Sequence, residues 1–442
     1  MEILIKAAQL ILCLSLLVIL HEFGHFFFAK LFKCRVEKFY LFFNPKFSLF
    51  KKQIGETEYG IGWIPFGGYV KISGMIDESM DKDQMKQEPQ PWEFRSKPAW
   101  QRLLIMIGGV LMNIITALAI YIGMSYSYGK TYIKNEDAKF GYQYSELAKE
   151  MGFKNGDKII NINGKVYEDM SEIPMAFVLE DVTYATVERD GKTKELSIDF
   201  EYKSTLLNST ESFVSPRIYT KMDSVVVDMP AYKAGLQNKD SIISVNSQPV
   251  LFADQITEFI TCCPDGFEIE FVRDSLGTKL IKTAVIVPED GKIGVLYGGF
   301  DTKYYPITVK EYTFLEAVPQ GAKLAVSAIE DYFKQLKIIF NPETEAYKQV
   351  GSVFSMGNFF PATWDWARFW SITAIFSIML AVLNIMPIPA LDGGHVLFLL
   401  YEIITRRKPS DKFMEIMQTI GMILLIGIMV LALGNDLFRM FK

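Results

Sequence analysis

Between Ile3 and Phe28 the chain is apolar apart from Lys6, Gln9, Ser15 and one group of three, His21, Glu22 and His25. A run of this length meets the ~20 residues that a helix needs to cross a bilayer. A charged side chain at membrane depth costs roughly 2.5–3.5 kcal/mol on insertion scales, so an ionisable group held there is functional by default. The group reads His21-Glu22-Phe23-Gly24-His25, of the form H-E-x-x-H. Helical positions four apart share a face, so the two imidazoles can hold one metal ion between them. Glu22 follows His21 directly and stands beside such an ion, not on it, where it can take a proton from a bound water. The same pattern arises by chance in soluble helices, where the histidines are surface or core groups. The apolar surroundings favour the metal.

A catalytic zinc needs a third protein ligand and an open position for water. The chain has three histidines, and the third, His395, lies in a second apolar segment. That segment reads Asn384-Ile385-Met386-Pro387-Ile388-Pro389-Ala390-Leu391-Asp392-Gly393-Gly394-His395. Pro387 and Pro389 break a helix and free backbone groups, which is costly in lipid unless a site uses them. Asp392 supplies a carboxylate near the depth of His21 and His25 and is the natural third ligand. His395 lies three residues further on and is expected in a non-ligand role. Asn384 can donate a hydrogen bond to a substrate carbonyl or to the oxyanion formed from it.

Mean hydropathy is +0.16 and half of the residues are hydrophobic. Four windows of about 20 residues qualify as spans, near 3–29, 103–126, 369–390 and 413–434. The N-terminal run is too long for a signal-peptide core and lacks a basic leader, so it reads as a retained helix. Lys30, Lys33, Arg35, Lys38, Lys46, Lys51 and Lys52 follow the first span, and Arg406, Arg407 and Lys408 precede the last. The positive-inside rule places these loops in the cytoplasm and both termini outside. The net charge of −5 comes with no basic tract, so nucleic-acid binding is not expected. Cys13, Cys34, Cys262 and Cys263 imply no disulfide framework.

Residues 54–73 are aromatic, β-branched and glycine-rich, broken by Pro65-Phe66-Gly67-Gly68. They predict a membrane-associated β-hairpin, either an edge for an unwound substrate strand or an ordinary interfacial hairpin. In the second span Gly108-Gly109 permits close helix contact, and Asn113 can hydrogen-bond across helices. Residues 322–340 predict an amphipathic helix, lying on the membrane surface or packing on the domains before it. Trp364, Trp366 and Trp370 mark an interface belt.

From about 130 to 300 the composition is that of a soluble domain pair, with an internal repeat. Ala148 to Asn163 matches Ala231 to Asn246 in the pattern A-x-x-x-G-[FL]-x-N-x-D-x-I-I-x-[IV]-N, with Gly152 and Gly235 83 residues apart. The pattern resembles the core of PDZ domains, which bind peptides by adding a strand to a sheet edge. A duplicated spacer is the other reading. The expected plan is a multi-pass α-helical membrane protein with four transmembrane helices, a membrane-associated β-hairpin and two tandem extracytoplasmic PDZ domains. Its segments are a first span over 1–30, a loop over 31–102, a second span over 103–128, and PDZ-like repeats over 129–210 and 211–300. An amphipathic region over 301–345, a third span over 346–395, and a loop and fourth span over 396–442 complete it.

H-E-x-x-H in the first span, the glycine-rich segment after it and N-x-x-P-x-P-x-L-D-G at 384–393 together resemble the site-2 protease family of intramembrane zinc metalloproteases. The repeats between spans two and three look like its bacterial sigma-E regulator branch. The resemblance covers most of the chain. It implies one zinc ion held by His21, His25 and Asp392, with Glu22 as general base. It implies that Asn384, Pro387, Pro389 and the segment Gly60-Ile61-Gly62-Trp63 hold an unwound substrate, with Asn113 and Gly393 structural near the site. Implied partners are single-pass membrane proteins, either trimmed anti-sigma factors or remnant signal peptides, together with PDZ peptide ligands and the lipid bilayer of a bacterial inner membrane. The PDZ pair would act as a size filter. The chain departs from the family at Gly108-Gly109-Val110, where a proline often follows the glycine. The rival functions are a non-catalytic PDZ-bearing membrane scaffold, which has no need of a complete metal set, and a metal transporter, which would need polar groups along several helices.

Overall fold

The computed structural model describes residues 1–75, 88–199, 201–209, 211–275, 278–299 and 302–440. The chain forms two compact units, Met1–Lys130 with Glu311–Lys442, and Thr131–Lys310.

The first unit is helical, with one small sheet. Its long helices are α1 (Glu2–Leu31), α2 (Ala99–Tyr128), α3 (Phe314–Phe340), α4 (Trp366–Ile385), α5 (Asp392–Thr405) and α6 (Asp411–Met440). Four of them, α1, α2, α4 and α6, are long and apolar enough to cross a membrane. In α2 and α4 about half of the apolar window is buried (44% and 50%), against 17% in α1 and α6, so α2 and α4 form the centre. Leucines and isoleucines left exposed on α6, such as Ile420 and Ile423, suit an apolar surrounding.

Small residues set the spacing. A Cβ on Gly24 of α1 would stand 2.1 Å from the Gly108 carbonyl oxygen of α2, so the two backbones touch there. Ser377 of α4 donates to the Asn113 carbonyl of α2 at 2.7 Å. The amphipathic segment begins earlier than expected, at a Thr313–Glu316 capping box. Gly321 of α3 lies against Ile122 of α2, and Ala328, Ile329, Tyr332 and Leu336 pack around Ala117, Ile378 and Val382. Part of its apolar surface is thus packed against α2 and α4, while Leu315, Val326, Phe333 and Phe340 stay exposed.

The third span is shorter than the expected 369–390. It ends at Ile385, and a new helix starts at Asp392. Residues 396–405, expected as loop, continue that helix.

The expected hairpin over 54–73 is not one. The strands are β1 (Val36–Phe43), β2 (Phe50–Ile54), β3 (Thr57–Ile61) and β4 (Ile64–Ile72), in the order β2-β3-β1-β4. β3 runs parallel to β1, with Tyr40 opposite Gly60, and β4 runs antiparallel to β1, with Tyr40 opposite Tyr69. Between β3 and β4 the Gly62 and Trp63 N–H groups donate to the Leu41 and Phe43 carbonyls of β1, at 2.8 and 3.1 Å. The chain therefore crosses the end of β1 instead of folding back on itself. The true hairpin is β2–β3, turned at Gly55.

The second unit carries the repeat, atom for atom at several places. Asn155 Oδ1 accepts from the Tyr144 N–H, and Asn238 Oδ1 from the Val225 N–H, both at 2.9 Å. Arg189 pairs with Asp157 and reaches the Gly152 carbonyl, while Arg273 pairs with Asp240 and reaches the Gly235 carbonyl. Each repeat holds an antiparallel sheet, with strand order 158–162, 184–189, 192–197 in the first and 248–249, 241–245, 267–275, 278–286 in the second. The unit extends past the expected boundary at 300. Tyr305, fully buried, and Phe252 belong to the core of the first repeat, and Tyr305 Oη donates to the Gly141 carbonyl. Each repeat has its own core, and Phe252, from the second repeat's segment, is packed into the first.

Asp240→Ala leaves Arg273 without its partner and the Gln237 N–H without its acceptor. It is expected to destabilise the unit by about 3–5 kcal/mol, read as earlier proteolysis within residues 131–310 of the full-length protein.

Candidate metal centre

His21 and His25 project from one face of α1, one turn apart, with ring centroids 4.9 Å apart and the rings nearly perpendicular. Asp392 is the first residue of α5, where an acid is favoured by the helix dipole. His21 Nε2 and His25 Nε2 are 3.3 Å apart, and Asp392 Oδ2 lies 3.2 and 3.3 Å from them. The three atoms form a nearly equilateral triangle. Bonds of about 2.0 Å to a tetrahedral zinc require ligand–ligand edges of about 3.3 Å. Asp392 Oδ2 is buried and accepts no hydrogen bond. A carboxylate oxygen in that state is costly without a cation beside it. The donor set and its spacing fit zinc.

The surroundings fix which nitrogens face the ion. His25 Nδ1 lies 2.8 Å from the Ile105 carbonyl oxygen of α2. A carbonyl only accepts, so Nδ1 carries the proton and Nε2 keeps its lone pair. His21 Nδ1 is 3.1 Å from the Asn113 amide. With the amide nitrogen turned to the ring, Asn113 Oδ1 is buried without a partner. The opposite amide orientation lets Oδ1 accept Nδ1–H and frees His21 Nε2 as well. Asn384, at the end of α4, brings its amide nitrogen within 3.4 Å of His21 Nε2.

Gly109 of α2 forms the floor. A Cβ there would meet His25 Nε2 at 2.4 Å and His21 Cε1 at 2.6 Å. Sequence reading took Gly108-Gly109 as a helix contact, and the role of Gly109 in admitting both rings was not visible from it. The break at 386–391 folds tightly, with Ala390 at φ +80°. Gly393 abuts the Met386 carbonyl, and Gly421 of α6 abuts the Pro389 carbonyl, both too closely for any side chain. Gly421 was missed by sequence reading, since nothing in a lone glycine of an apolar helix signals a contact 32 residues back. Among the described residues the metal-competent group contains His21, His25 and Asp392 and not His395.

The sheet meets the site through β4. A Cβ on Gly68 would lie 2.7 Å from Val18 Cγ1 and 3.6 Å from Glu22 Cγ. The segment Gly60-Ile61-Gly62-Trp63 is placed differently from expectation. Gly60 and Ile61 lie on the inner strand β3, paired with β1 on one side and β2 on the other. The Gly62 and Trp63 N–H groups are bonded to β1, and Trp63 Nε1 donates to the Pro45 carbonyl at 3.0 Å. No edge is left there to receive another strand. β4 is an outer strand of this sheet and β2 is the other.

Gly109→Ala is expected to push the imidazoles apart and lower metal affinity by at least about 10-fold, measured by chelator competition on the purified protein.

Residues 9–428 match the family model described as Peptidase family M50. Over 430 residues the chain is 26% identical to a putative zinc metalloprotease of Clostridium perfringens, covering 97% of each chain. It is 26% identical over 461 residues to the regulator of sigma E protease of Haemophilus influenzae, covering 100% of each. With protease RseP of Yersinia pestis it shares 26% identity over 466 residues, again covering 100% of each.

Proposed function

The chain belongs to peptidase family M50, and from that premise we propose that it is a zinc-dependent endopeptidase cutting a peptide bond within the membrane span of single-pass proteins. The observation that carries this reading is the triangle of His21, His25 and Asp392, with edges of 3.2–3.3 Å, its two histidines on a helix apolar enough to cross a membrane.

His21, His25 and Asp392 would hold the zinc. Bound there, zinc supplies Lewis acidity toward a peptide carbonyl and lowers the pKa of water. Glu22, one position after His21 on α1, acts as general base, taking a proton from the attacking water and giving it to the leaving amide nitrogen. Asn384, with its amide nitrogen beside His21 Nε2, donates to the oxygen on which negative charge develops. Helical amides are hydrogen-bonded and sterically shielded, so the substrate must unwind first. β4 offers an outer strand beside Glu22 on which an unwound segment can add as a further strand. Pro387 and Pro389 keep the segment before Asp392 out of helix, and Asn113 and Gly393 hold the site from behind.

The names of two relatives, regulator of sigma E protease and protease RseP, support trimmed anti-sigma factors as a substrate class, with remnant signal peptides as another. The two repeats read as PDZ domains that admit only substrates lacking a large outer domain. The lysines after α1 support a cytoplasmic sheet and extracytoplasmic repeats in a bacterial inner membrane.

Glu22→Gln is expected to retain about one zinc per chain and to cleave a tagged single-helix substrate at least 10²–10⁴-fold more slowly; wild-type rates in this variant would sink the general-base assignment. A zinc chelator should abolish cleavage by the wild type, and added zinc should restore it. Asn384→Ala is expected to lower kcat by roughly 10²–10³-fold with metal content unchanged, checked by single-turnover cleavage alongside metal analysis.

A further inference from the structure

The second repeat carries two nucleophilic side chains that the proposed reaction does not use. Its helix Ala253–Cys262 ends on one cysteine, and the next residue, Cys263, is the C-cap, its N–H donating to the Phe259 carbonyl at 2.9 Å. Both thiols are free, and Cys262 is exposed. Their sulfurs stand 3.1 Å apart. Cys263 rests partly on the core of the second repeat. The first repeat shows that this helix end does not require thiols. Its helix Glu172–Leu179 stops at the equivalent place, since Leu179 and Glu180 precede Cys262 and Cys263 by the same 83 residues that separate Gly152 from Gly235. There Leu179 is buried, and Glu180 accepts from Lys165 and Tyr167, both at 2.9 Å.

Geometry narrows what two such sulfurs can hold. Tetrahedral zinc, with Zn–S bonds of about 2.3 Å, sets its sulfurs about 3.8 Å apart and takes four ligands in a closed site. Among the described residues no third His, Cys, Asp or Glu forms a metal-competent group with this pair. A direct disulfide fits no better. Bonded cysteines usually have Cα atoms about 4.4–6.8 Å apart, whereas neighbours across a trans peptide are held at about 3.8 Å. An atom inserted between the sulfurs widens the ring and relieves that strain. Trivalent arsenic makes single bonds to two thiols at a narrow pyramidal angle and needs no third protein ligand. The C-terminal end of a helix carries partial negative charge and disfavours free thiolates. The hydrogen bond with Cys262 also raises the Cys263 thiol above its ordinary value. An arsenical bound through both sulfurs has no net charge and avoids both penalties.

We propose that Cys262 and Cys263 form a binding site for trivalent arsenicals. With an arsenoso compound the As=O bond breaks and two As–S bonds form. The oxygen leaves as water with the two thiol protons. Arsenic stays trivalent, so no oxidant or reductant takes part. The proposal is independent of the peptidase reading, and its failure leaves that reading intact.

The test uses the full-length protein in detergent, reduced and then freed of reductant, with phenylarsine oxide as the probe. Intact-mass spectrometry is expected to show one phenylarsenic group per chain. It should survive a wash with a monothiol, 2-mercaptoethanol, and be removed by a dithiol, 2,3-dimercaptopropanol. Cys262→Ser and Cys263→Ser are each expected to lower affinity at least about 100-fold, because the second sulfur no longer acts at high effective concentration. If Cys263→Ser fails to fold, the exposed-site variant Cys262→Ser carries the comparison. Wild-type affinity in Cys262→Ser, or equal removal of the probe by monothiol and dithiol, overturns the proposal. Loss of two hydrogens in place of probe uptake assigns the pair to a disulfide, and a second zinc per chain that Cys262→Ser loses assigns it to zinc. Either result overturns the arsenical assignment.

Discussion

The backbone contact between Gly24 of α1 and Gly108 of α2 is the constraint on which the metal centre depends. The Gly24 position lies inside H-E-x-x-H, so the two helices meet at the level of the histidines. That approach carries the Ile105 carbonyl to His25 Nδ1 and the Asn113 amide to His21 Nδ1. Both rings are thereby oriented with Nε2 toward one point, and Gly109 leaves the volume they need. A larger residue at any of these three glycines would separate the helices or displace a ring, and the histidines alone would not then define a site.

The position of Asp392 depends on a different kind of constraint. Asp392 stands at the start of α5 because the chain cannot remain helical through Pro387 and Pro389. Within the break the Leu391 and Gly394 N–H groups donate to the Ile388 and Leu391 carbonyls, and Gly393, Gly394 and Gly421 let the backbone around it approach too closely for a side chain. The helix dipole of α5 favours a carboxylate at that position. α5 is tied to α2 by an ion pair of Arg102 with Glu402 and by Val396 and Leu399, which pack with Ile105 and Met106.

The repeat unit shows how a duplicated sequence pattern preserves a duplicated set of bonds. The buried aspartates Asp157 and Asp240 each accept from an arginine on the adjacent, paired strand and from a backbone N–H three residues earlier. Asn163 and Asn246 adopt matching left-handed conformations, at φ +48° and +45°, and close equivalent turns. Between the repeats the match ends, because Phe252 and Tyr305 serve the core of the first repeat and have no counterpart role in the second.

Sequence alone determined the elements whose signals are local. The four spans, the H-E-x-x-H pair, the broken segment before Asp392 and the repeat of Gly152 at Gly235 are each written in a short window. What only the tertiary structure decided was pairing between distant segments. β1 gives no turn signal toward β3 or β4, yet it separates them, and so the expected hairpin became two strands on opposite sides of a third. The same non-local pairing closed Gly60 to Trp63 to any further strand and left β4 as the outer strand beside Glu22. The packing of one part of the amphipathic helix α3 against α2 and α4, and the use of Gly109 and Gly421 as contact points, follow the same rule. A glycine or an apolar stripe states in sequence only that something can approach, and the neighbour that does so is fixed when the helices pack.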